Sequence, residues 1–249
     1  MRRGINSALV VCAALAAPVS CAGESSETSV ERNEIMGQKQ EQSLNLLQKH
    51  IAVIAMYAAA GDMPRLNAAL QQGLDSGLTI SDCREVLIQL YAYAGFPRSL
   101  NALGELMSVI NGRREKGIHD AEGNPPRPLP TPDEMLAVGT QNQTSLVGSP
   151  VKGALFDFAP AIDQYLKMHL FGDIFARDNL DWRSRELATV GALAGMSGVE
   201  SQLKAHLNIS MNTGLTYSQL TELVPLFEEK GEKSSADRLR VALDSVRAQ

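Results

Sequence analysis

Residues 66–81 read LNAALQQGLDSGLTIS, and residues 203–218 read LKAHLNISMNTGLTYS. The second stretch is the first displaced by 137 positions, in a register that holds without a gap from Lys49/Glu186 to Leu90/Phe227. Eleven of these 42 pairs are identical, among them Gly61/Gly198, Leu66/Leu203, Gly77/Gly214, Thr79/Thr216 and Glu85/Glu222. The expectation is one structural unit used twice. The copies differ where chemistry would sit: Glu186 and His206 in the second stand opposite Lys49 and Ala69 in the first. That contrast predicts a duplicated scaffold with a single working site.

The surrounding composition favours helices. Hydrophobic residues make up 44% of the 249 positions and aromatics only 5%, with Ala and Leu dominant, a balance that suits helices over strands. No run alternates with the period of two that a half-buried strand needs. The fold class is read as all-α. A net charge of −5 argues against nucleic acid as a partner, because such binding needs a basic footprint.

Residues 1–22 read as an export signal. Arg2 and Arg3 precede an apolar stretch from Ala8 to Val19, too short to span a bilayer comfortably and ending in small residues. Ser20-Cys21-Ala22 fits a cleavage site, and Val19-Ser20-Cys21 also resembles a lipoprotein box that would lipidate Cys21. The expected location is the bacterial periplasm or the outer membrane, with a lipid at Cys21 the sole link to a membrane. Of three cysteines only Cys83 would remain, so no internal disulfide is expected.

Residues 23–35 are polar and read as a disordered spacer. Residues 36–110 form the first repeat and 151–249 the second. Between them, 111–150 reads as a linker; its portion 111–135 carries five prolines, which implies extended chain. Within the first repeat, Gly61 to Pro64 separates two helices, Gly77 closes the second at positive φ, and Thr79 or Ser81 caps the third. Gly95-Phe96-Pro97 interrupts the next. In the second repeat Ser184 is expected to cap a helix beginning at Arg185 and Glu186. Gly195 to Gly198 forms a tight turn, and Thr216 to Gln219 a capping box.

The turn at 195–198 places Glu186 about ten residues before it and His206 about nine after it, at nearly the same height on two antiparallel helices. A carboxylate facing an imidazole can orient it and ready it for proton transfer. Spacing alone is better served by Glu186 paired with Arg185 or Lys204 and a histidine packed in the core. Four scattered histidines without HxxxH spacing do not suggest a metal site. Cys83 reads as packing, and Tyr57, Tyr91, Tyr93, Phe156, Phe158 and Trp182 read as core or interface residues.

The motifs resemble the carboxymuconolactone decarboxylase family. The similarity lies in FGDIFARDNLDWRSRELATVGALAG (171–195) and QLKAHLNISMNTGLT (202–216) of the second copy. In the first it lies in SGLTISDCREVLIQLYAYAGFPRSLNAL (76–103), where Tyr93 to Pro97 is the most telling segment. Together these cover about half of the chain. The resemblance implies an all-helical fold built on a helical hairpin, assembling as a homotrimer or higher homo-oligomer. It implies a cofactor-free carbon–carbon lyase acting on a small carboxylated lactone, with Glu186 and His206 catalytic and Arg185 and Gln202 binding substrate. The related alkyl hydroperoxide reductase D-like proteins use a Cys-x-x-Cys pair; Val199 and Gln202 stand at those positions here, which excludes peroxide reduction by that mechanism. A non-catalytic periplasmic oligomer or binding module of the same fold is the alternative; an antioxidant, peroxiredoxin-type activity is the third reading, disfavoured by the absent cysteine pair.

Overall fold

The computed structural model describes residues 43–248. The expected export signal, Cys21 and the 23–35 spacer lie outside them. Among the described residues every regular element is a helix.

Helix α1 (Leu46–Ala60) starts at Asn45, whose side chain accepts from Gln48 N at 2.9 Å while the Gln48 side chain accepts from Asn45 N at 3.0 Å. Its nine residues from Ile51 to Ala59 are all buried, the mark of a helix enclosed on every side. Gly61 ends it in the left-handed region at φ 77°, and α2 (Met63–Asp75) folds back with Pro64 in its first turn. Helix α3 (Ile80–Gln89) is capped by Thr79, which forms a capping box with Asp82. Helix α4 (Tyr91–Glu115) is broken at Gly95 (φ 79°, ψ 162°) and continues past Pro97.

The second half follows a parallel course. Helix α8 (Trp182–Ala194) is buried without interruption from Ser184 to Ala194. Beyond Gly198 (φ 80°) the chain returns as α9 (Glu200–Asn212). Identical residues do the same local job in both halves: Gly77 and Gly214 take φ 105° and 96°, and Thr79 and Thr216 each close a capping box. Short helices α10 (Tyr217–Thr221) and α11 (Leu223–Glu229) lead to the amphipathic α12 (Lys233–Arg247). Helix α2 packs on α1 and α4, and α9 packs on α8 and α12.

The enclosed helices α1 and α8 pack against each other at the centre. Two glycines one turn apart let their backbones approach. A Cβ on Gly191 would lie 2.2 Å from Ala52 O, and one on Gly195 would lie 2.6 Å from Met56 O, distances no side chain tolerates.

The connection 111–150 departs from the expected linker. Helix α4 runs on to Glu115, and residues 132–147 form α5 (Pro132–Val147), capped by Thr131 with Glu134. Between these helices residues 116–131 lack regular structure, and part of that stretch is tied to the start of α3. Ile80 N and Ser81 N donate to Ala121 O and Glu122 O, both at 2.9 Å, and Ser81 Oγ donates to Asn124 O. After α6 (Ala154–Phe158) and α7 (Pro160–Tyr165) the chain widens into a π-helix (Leu166–Ile174). Packing of α5, the π-helix and α9 encloses a second, smaller core of Leu146, Leu170, Phe171, Ile174, Phe175 and Ile209. A further correction concerns α8. Its cap is Asp181, which accepts from Ser184 N at 3.0 Å, and the Ser184 hydroxyl donates to the same carboxylate at 2.8 Å.

Candidate functional site

Glu186 sits in the second turn of α8 and His206 in the middle of α9. The hairpin turn brings them opposite one another, and His206 Nδ1 lies 2.8 Å from Glu186 Oε2. Both are inside the protein: Glu186 is 0% exposed and His206 7%. A buried carboxylate needs a partner, and the imidazole is the one it has. With Glu186 ionised, Nδ1 carries the proton and donates to Oε2, so Nε2 is left as the reactive nitrogen. Nε2 makes no hydrogen bond among the described residues, and neither does the second carboxylate oxygen, Glu186 Oε1. His206 is anchored further by the turn it belongs to, since Ser210 Oγ donates to His206 O at 2.7 Å.

The other half of the chain supplies a third residue. Tyr93 packs edge-on to the His206 ring, with centroids 5.3 Å apart and planes at 81°. Its place depends on Gly95, where a φ of 79° breaks α4 two residues later. Burial first, and then the Glu186 charge, push the Tyr93 phenol well above its usual range, so it stays a proton donor. Its Oη is buried without an aligned hydrogen-bond partner among the described residues. Thr189 is close to it, but that hydroxyl already donates to Arg185 O at 3.0 Å and accepts from Gln89 Nε2 at 2.7 Å. Sequence reasoning placed Tyr93 among core and interface residues. The signal that marks it out is the Gly95-Phe96-Pro97 break, which aims the preceding tyrosine inward.

Arg185 is placed differently from the expectation of a substrate ligand. Its side chain is 0% exposed and donates to Glu85 Oε2 at 2.9 Å and to Arg177 O at 3.0 Å. Glu85 also takes both nitrogens of the Arg177 fork at 2.7 and 2.8 Å. Burial alone would raise the Glu85 carboxyl, but hydrogen bonds from Arg177, Arg185 and Asn179 outweigh it and hold it at about 2. Arg185 thus joins the two halves of the fold. Gln202 is exposed, and its side-chain oxygen accepts from Ser201 Oγ at 2.9 Å. The structure therefore brings together Glu186 and His206, and leaves Arg185 and Gln202 outside their contact.

The corresponding position in the first half has no such pair. Lys49 bonds to Glu222 at 2.9 Å, and Ala69 is packed in the core. His50 shares a hydrogen bond with Ser76 Oγ at 2.9 Å. Cys83 is fully buried, and burial pushes its thiol up to about 12, which keeps it from acting as a thiolate. Among the described residues no three His, Cys, Asp or Glu side chains converge to hold a metal ion.

No family model matches this chain. Over 70 residues, 28% of its length, it is 30% identical to a 4-carboxymuconolactone decarboxylase from Acinetobacter baylyi (strain ATCC 33305 / BD413 / ADP1). The match spans 52% of that protein, so the chain covers about half the length of this curated relative.

Proposed function

We propose that this protein belongs with the carboxymuconolactone decarboxylases and is a cofactor-free lyase that removes CO₂ from a small carboxylated lactone. The observation that carries the reading is the buried Glu186–His206 contact at 2.8 Å, and the partial similarity to a decarboxylase supports it. The chemistry needs little equipment. As the carbon–carbon bond to the carboxylate breaks, its electron pair moves onto the conjugated lactone carbonyl and CO₂ departs. The resulting dienolate then takes a proton on carbon. His206 in its charged form, with Nδ1–H still donating to Glu186, delivers the proton on Nε2 and returns to the neutral ring, while Glu186 holds the ring in place and stabilises its charged form. Solvent reprotonates the imidazole.

On the same footing we read the two halves as a duplicated unit, and residues 1–22 as an export signal with Cys21 a lipidation position. A homo-oligomer is favoured by the apolar side chains left on the surface: Phe96, Leu100 and Met107 along one face of α4, and Phe158, 88% exposed, on α6. Those same exposed residues favour the second reading, a non-catalytic oligomer or binding module.

Incubating the purified protein with 4-carboxymuconolactone and following CO₂ release tests the proposal. Turnover that disappears in His206→Ala is the expected result. Absence of turnover by the folded wild-type protein would remove this substrate and favour the second reading.

A further inference from the structure

Glu186 Oε1 and Tyr93 Oη are buried without an aligned hydrogen-bond partner, and His206, whose ring stands edge-on to Tyr93 at 5.3 Å, bonds Glu186 through Nδ1 and leaves Nε2 unbonded among the described residues. Buried polar atoms are satisfied in nearly all proteins, and exceptions point to a ligand, a water or a catalytic role. Their characters differ. Oε1 can only accept. Nε2 accepts when the ring is neutral and donates when it is charged. Tyr93 Oη is held as a donor because its phenol stays protonated. Of the other donors nearby, Arg185 Nη2 is committed to Glu85 and the Thr189 hydroxyl to Arg185 O, while Arg185 Nε is, like Tyr93 Oη, buried without a partner. Of these donors, Tyr93 is the one whose ring lies against the imidazole, so it can donate to an oxygen held there.

We propose that Tyr93 is a third catalytic residue, whose hydroxyl binds the carbonyl oxygen of an unsaturated lactone and stabilises the dienolate that forms there. This rests on the lyase reading and refines its substrate: the required feature is a ring carbonyl conjugated to the carbon that loses CO₂. No bond to Tyr93 is made or broken. Its hydrogen bond shortens as charge collects on the carbonyl oxygen, while the proton that ends on carbon comes from His206. A donor aimed at the position of developing charge acts most strongly in a site shielded from water. Tyr93 is contributed by the first half of the chain and His206 by the second, which makes the site a joint product of both halves.

Tyr93→Phe keeps the ring against His206 and removes only the hydroxyl. Three readouts decide the matter. The melting temperature is expected to equal or exceed that of the wild type, because a buried hydroxyl without an aligned partner contributes nothing to the fold. A fall of several degrees would mean that Thr189 or an internal water holds the hydroxyl structurally, and would overturn the inference. The second readout uses 2(5H)-furanone, an unsaturated lactone without a carboxylate, titrated against the His206 ring signals by NMR. Wild-type protein is expected to show saturable shifts, and Tyr93→Phe to bind at least tenfold more weakly. No shift in the wild type, or equal binding by both, would overturn it. The third is turnover of 4-carboxymuconolactone, expected to fall by about 10²-fold in Tyr93→Phe. Furanone binding that depends on Tyr93 without decarboxylation would retain the inferred carbonyl site and defeat the lyase reading. Turnover that depends on His206 but not on Tyr93 would do the reverse.

Discussion

Glu85 and Arg185 stand 100 positions apart in the chain and close a 2.9 Å ion pair in which neither side chain reaches solvent. Glu85 comes from α3 in the first half, and Arg185 from the first turns of α8 in the second. Its counterpart at the 137-residue offset, Glu222, makes the reverse crossing: it bonds Lys49 at 2.9 Å near the start of α1. Each half thus sends a glutamate to a cation at the start of the other's enclosed helix. The two crossings are not equal in burial, since Lys49 and Glu222 are 33% and 25% exposed, and the energetic weight falls on Glu85.

Glu85→Gln is expected to destabilise the fold by about 3–5 kcal/mol near neutral pH, because it leaves Arg185 buried beside a neutral partner. The same pair makes stability depend on acid. The Glu85 carboxyl sits at about 2 in the folded protein against an ordinary 4.5. A depressed value contributes stability that is fully present above the unfolded value and is lost as pH falls from about 4.5 through about 2. The contribution is on the order of 3 kcal/mol. Urea unfolding of both proteins between pH 6.5 and 2.5 measures it. The gap between wild type and Glu85→Gln should narrow as pH falls below about 4.5, and a gap independent of pH would contradict the assignment.

Gly191→Ala is expected to disrupt the contact between α1 and α8. The added methyl would meet Ala52 O at 2.2 Å, and the obstacle is backbone, which cannot rotate away. Overpacking of this kind costs about 1–3 kcal/mol, and here the upper end or beyond applies. A melting temperature within a degree of wild type would show that the helices are free to separate at this point.

Gly95→Ala probes the break that aims Tyr93. No neighbour would clash with the new methyl beyond Pro97 Cδ at 3.6 Å, so the cost is conformational: φ 79° with ψ 162° is a region almost confined to glycine. A loss of about 1–3 kcal/mol is expected, together with altered NMR signals from the His206 ring as Tyr93 moves. Unchanged ring signals would disconnect the break from the site.

How far the sequence announced this structure depends on the range of each interaction. Glycines 61, 77, 198 and 214 and the caps Thr79 and Thr216 were legible, because a helix end is decided within a few residues. Glu186 and His206 were legible as a pair because one turn of known position fixes their relative height. Helix α5 was hidden by the run of prolines before it, although Thr131-Pro132-Asp133-Glu134 carries a capping signal of its own. The π-helix could not be read, since its widened turns leave no distinct periodicity. The structural role of Arg185 was illegible because its partner lies 100 positions away. Tyr93 was legible as an aromatic and not as a site residue, because its orientation follows from a backbone break whose direction only the folded chain defines.

The most direct test of the Glu186–His206 unit is a kinetic double-mutant cycle on 4-carboxymuconolactone with wild type, Glu186→Gln, His206→Ala and the double variant. The buried 2.8 Å contact predicts that the pair acts as one device. His206→Ala should lower kcat/KM by at least about 10²-fold, and adding Glu186→Gln to it should lower it little further. Multiplicative losses, or a His206→Ala protein as active as wild type, would contradict the account.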